Sequence, residues 1–143
     1  MLALLAVGAA ATTPLPPPTK VESRPALERL LGSSGMTLQW ISWTNSDRGP
    51  VEFRWANKTL ILKGEQHAVG GRGHVSVEGR IARIDKNEFI LSGTIIINET
   101  PDAGRSCQKT GDWRFAITQN RKYWRLREFE WCDGLTDYID IYF

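Results

Sequence analysis

The two histidines of this chain, His67 and His74, flank the glycine-rich run Gly70-Gly71-Arg72-Gly73. Two imidazoles with Glu65 nearby are the beginning of a zinc site, which takes about four N, S or O ligands in tetrahedral array. The spacing supplies only two good ligands, so the pair reads as solvated strand ends and no metal is expected. Backbone N–H groups of the glycine run can hold an anion. No helix opens after it, however, as a P-loop or dinucleotide turn requires, and it reads as a hairpin loop. Asp137 and Asp140 stand on opposite faces of any strand that carries them, and with Asp133 they match no EF-hand loop. No Ser/His/Asp set can be assembled. Neither catalysis nor a cofactor is expected.

The cysteine count is 2, Cys107 and Cys132. In an exported chain such a pair closes by default. If Gln119-Asn120 is a two-residue turn, Thr118 faces Arg121. The same register then sets Phe115 against Trp124, Trp113 against Leu126 and Cys107 against Cys132. A structural disulfide across one hairpin is the expectation, since no Cys-X-X-Cys or activating base marks a reactive thiol.

The densest basic feature is Arg114 together with Arg121-Lys122-Tyr123-Trp124-Arg125-Leu126-Arg127. Tyr123, Arg125 and Arg127 share one face of a strand. Guanidinium groups beside aromatic rings suit anionic ligands. Arg114, Arg121, Tyr123, Arg125 and Arg127 are therefore a candidate anion or partner surface. The competing reading is a solvated outer face, with Glu128, Glu130 and the C-terminal aspartates as cross-strand partners.

These residues need a frame. Residues 1–11 are apolar and end in small residues, as a signal peptide does, although no basic residue precedes the run. They are too short to span a bilayer, which takes about 20 residues. Residues 12–22, with Pro14, Pro16, Pro17 and Pro18, read as a polyproline linker, and residues 23–143 as one domain. Ser23-Arg24-Pro25 opens a helix whose stripe of Leu27, Leu30 and Leu31 is closed by Gly32. From Met36 the apolar period is two. Strands are predicted at Met36–Trp40, Val51–Trp55, Leu60–Leu62, Val75–Ile81 with a bulge or bend at Gly79, Phe89–Ile97, Trp113–Ile117, Tyr123–Trp131 and Tyr138–Phe143.

Short connections imply antiparallel neighbours in up-and-down order. The fold class expected is all-β with one short N-terminal helix, about eight strands closing into a small barrel or a strongly curved sandwich. The strand count resembles that of calycin-like barrels in architecture alone. The lipocalin Gly-X-Trp motif is absent from the first strand, and Gly111-Asp112-Trp113 falls too late in the chain to serve. The 6 Trp, 5 Phe and 3 Tyr suit a barrel interior. Trp40, Phe53, Trp113, Phe115 and Trp124 are the candidate lining for a small apolar or amphipathic ligand. A formal net charge of +2 is too balanced to suggest nucleic acid. The expectation is an exported binding module, periplasmic or secreted. The alternative is an envelope protein-interaction or inhibitor module acting through its loops and the basic strand 121–127.

Overall fold

A computed structural model of the chain describes residues 15–143, and the signal-peptide reading of residues 1–11 lies outside them. The second half of the expected linker is built into the fold. Thr59 Oγ1 donates to Pro17 O at 2.9 Å. Thr19 Oγ1 donates to Ile81 O at 2.7 Å and accepts the Leu60 N–H at 2.8 Å. Strand β1 (Lys20–Val21) then runs parallel to the Arg83-Ile84 end of a later strand. Helix α1 (Arg24–Leu31) follows as the caps predict. Ser23 Oγ accepts the Ala26 N–H, and the Gly32 N–H returns to Glu28 O. Ala26, Leu27 and Leu30 enter the core, while Leu31 stays outside.

The remaining strands are β2 (Gly35–Leu38), β3 (Val51–Ala56), β4 (Thr59–His67), β5 (His74–Ile84), β6 (Glu88–Asn98), β7 (Ser106–Ala116), β8 (Tyr123–Leu126) and β9 (Ile139–Tyr142). From β3 to β9 each strand pairs antiparallel with the next, and β2 pairs with β9. The result is a nearly closed barrel-like sheet, all-β as expected. Its seam lies between β2 and β3. There Met36 and Gly49 exchange two backbone hydrogen bonds of 2.9 Å. Gln66, buried, crosses the same seam: its Oε1 accepts the Leu38 N–H at 2.7 Å and its Nε2 donates to Asp47 O at 3.0 Å.

Inward positions alternate along the strands and meet in one core. Leu60 and Leu62 on β4, Val75 and Val77 on β5, and Leu91 and Ile95 on β6 are all fully buried. The expected bulge at Gly79 is displaced; the register shift falls between Ile81 and Arg83. Gly79 is instead a point of close approach. It faces Gly93, and a Cβ on Gly93 would stand 2.1 Å from Glu78 O.

The turn at Gln119-Asn120 forms as read, both residues having positive φ (55° and 56°), as a type I′ hairpin turn requires. The register beyond it is not the expected one. Phe115 lies opposite Leu126 rather than Trp124. Ala116 likewise lies opposite Arg125, so β8 has slipped by two residues from the expected register. The strand expected to run to Trp131 stops at Leu126. The Glu128 carboxylate takes the Arg114 N–H and blocks further pairing. Residues 127–138 leave the sheet, and the Cys107–Cys132 disulfide ties them back to β7 with its Cα atoms 6.2 Å apart. The disulfide is present as expected. It joins a strand to this excursion rather than two arms of a hairpin.

Candidate functional site

Pleating divides β8 into an inner pair, Trp124 and Leu126, and an outer pair, Tyr123 and Arg125. The register sets Tyr123 beside Tyr142 and Arg125 beside Asp140 on β9. Arg125 grips the buried Asp140 through two parallel bonds, Nε to Oδ1 at 2.7 Å and Nη2 to Oδ2 at 2.9 Å. Those bonds outweigh the cost of burial and hold the guanidinium above its ordinary pKa. The same group lies 4.1 Å over the Tyr138 ring and 5.0 Å from Tyr123. Burial raises the pKa of the Tyr142 hydroxyl, against the effect of its 2.8 Å hydrogen bond with Thr37. Arg48 covers the other ring at 3.7 Å from the Tyr142 centroid.

Trp43, 54% exposed, comes from the loop after β2 and completes a cleft of about 410 Å³ with Arg121, Tyr123, Arg125, Asp140 and Tyr142. A second cleft, about 480 Å³, meets the first at Arg121 and lies between α1, the β5–β6 turn and the β7–β8 turn. Its charged lining residues are Arg29, Lys86, Arg121 and Lys122, all cationic. A lining whose charged side chains are all positive raises the local potential for anions.

Of the surface residues expected from the sequence, Arg121, Tyr123 and Arg125 come together here. Arg114 does not. It is paired with Glu128 at 3.1 Å. Arg127 lies with Glu128 and Trp131 in a different cleft. Trp43, Tyr142, Arg29 and Lys86 were missed, because they reach the site from distant stretches of chain. Trp43 carried one signal, an aromatic ring set among polar residues (Ser42, Thr44, Asn45) outside any strand.

The five residues expected to line an internal pocket are not gathered around one space. Phe115 and Trp124 are fully buried, and both pack on Phe89 at ring distances of 5.0 Å and 5.3 Å. Trp113 packs edge-on against Trp131 at 5.4 Å. Trp40 is outside the barrel, with its indole N–H on Asp137 Oδ1 at 2.9 Å. Phe53 sits half-buried on the edge strand β3.

Fold and site together define a small, disulfide-bridged β-barrel with a cationic and aromatic outer face. The chain belongs to the PM1083 family, whose profile matches residues 18–143. It is 39% identical over 117 residues to the uncharacterized protein PM1083 of Pasteurella multocida strain Pm70, an alignment covering 80% of this chain and 74% of that protein. No solved structure matches it.

Proposed function

We propose that this protein is an exported, non-catalytic binding module that takes an extended acidic glycan along the outer face of β8 and β9. One observation carries the reading: Arg121 belongs to both clefts, joining an aromatic surface to a cation-lined one. Sugar rings stack on exposed Trp and Tyr faces, and carboxylates are held by guanidinium and ammonium groups. A ligand long enough to use both clefts needs alternating flat and anionic groups, which a uronate-bearing oligosaccharide has. The disulfide suits an oxidising, exported compartment. The interior is a poorer host, since Phe115 and Trp124 already pack on Phe89.

Isothermal titration with a uronate oligosaccharide and a neutral one of equal length tests this. The acidic sugar binds, more weakly as salt rises, and is recovered intact. Arg121→Ala lowers affinity about 10–100-fold, the loss of one charge-assisted contact of roughly 1.5–3 kcal/mol. Equal binding of the two sugars, or no effect of the variant, rejects the reading.

A further inference from the structure

At the far end of the β4–β5 hairpin, strand register brings together three side chains that lie apart in sequence. His67 and His74 are direct cross-strand partners, and Glu65 shares the outer face of β4 with His67. The imidazoles stack with centroids 4.3 Å apart and planes 25° from parallel. Glu65 Oε2 is 3.6 Å from His74 Nε2 and 3.8 Å from His67 Nε2. Both separations are too long for hydrogen bonds. They are near the roughly 3.3 Å between ligands that share one tetrahedral ion at bond lengths of about 2.0–2.1 Å. His74 Nε2 is also a buried atom without a hydrogen-bond partner among the described residues, although the rest of its side chain reaches solvent. Such an atom has either an unmet desolvation cost or a missing ligand.

The geometry points to a zinc-binding site formed by Glu65, His67 and His74. One ligand atom from each of the three lies within 4.8 Å of the others, so small side-chain rotations close the set. Two imidazoles and a carboxylate favour zinc over calcium or magnesium, which prefer all-oxygen shells. Three protein ligands leave a fourth position to water or to a donor from a bound molecule. The strand expected at Leu60–Leu62 runs on to His67, which puts Glu65 and His67 on one face of β4. The register against β5 supplies the third ligand, His74.

The test is zinc titration of the chelator-treated full chain by calorimetry, with cobalt(II) as a spectroscopic stand-in. One ion binds per chain, and cobalt(II) gives the intense visible absorption of a tetrahedral centre with imidazole nitrogen ligands. His67→Ala and His74→Ala each weaken binding by more than about 100-fold, beyond the 10–100-fold lost with outer-shell partners, and Glu65→Gln weakens it measurably. His67, 66% exposed at the side chain, is the variant least able to disturb folding. Its melting temperature in chelator should match that of the parent. Absence of saturable zinc binding overturns the proposal, as does binding that survives His67→Ala undiminished.

Discussion

Arg105 is the most heavily committed side chain among the described residues. Its guanidinium, almost wholly buried, donates two 2.8 Å bonds to Asp137, bonds of 3.1 and 2.9 Å to Asp133, and one of 3.2 Å to Thr100 O. Asp137 is fully buried and takes the Trp40 indole N–H as well. Removing one member strands a charge away from water. Arg105→Ala should therefore cost about 3–5 kcal/mol in chemical denaturation. Asp133 adds a pH dependence. The hydrogen bond from Arg105 lowers its carboxyl pKa below the ordinary 3.8. Asp85 is also lowered: burial opposes this, but the Asn87 and Glu88 N–H groups and Arg83 prevail. A depressed folded-state pKa stabilises fully above the unfolded value and is lost as pH falls through the folded one. The melting temperature should thus drop below about pH 4, less steeply in Asp133→Asn. Both carboxylate roles were only half legible in the sequence. The opposite-faces argument does not reach Asp137, which lies outside β9, although Asp140 is on that strand. Nothing local marks Arg105, 32 residues away, as the partner of Asp137.

At the scale of elements, the excursion 127–138 explains both what the sequence predicted and what it missed. Strand positions are legible because inward and outward residues alternate. That alternation is blind to an even slip of register, since a shift of two leaves every side chain on its original face. The register of β7 against β8 therefore fails by two while Trp113, Phe115, Trp124 and Leu126 all remain in the core. The end of β8 is set by a side chain, Glu128, and periodicity carries no sign of that. The disulfide then acts on the excursion more than on the sheet. Cys107→Ser with Cys132→Ser should cost about 3.5 kcal/mol by the loop-entropy estimate for a separation of 25 residues. Amide exchange should quicken across 127–138 first and leave β4, β5 and β6 protected. Uniform loss of protection would mean that the bridge holds the barrel itself.

For the whole molecule the decisive feature is how the barrel closes. β2 and the segment just before β3 meet at a single bridge, Met36 with Gly49, whereas β4 to β7 are joined by long ladders. The missing ladder is replaced by the buried amide of Gln66, which bonds Leu38 on one side and the Ser42 and Asp47 carbonyls on the other. This couples closure to the candidate cleft, because the segment from Ser42 to Asp47 carries Trp43. Gln66→Leu keeps similar bulk but leaves the Leu38 N–H and two carbonyls without those partners. A loss of roughly 2–3 kcal/mol follows, with faster amide exchange at Leu38 than in β5 or β6. Freed at its base, Trp43 should sample more orientations, and acidic glycan affinity should fall although Gln66 touches no part of either cleft. If the variant melts earlier yet binds undiminished, the seam serves stability alone and the loop is fixed by other contacts, such as the 2.9 Å bond from Ser42 Oγ to Asp47 Oδ2.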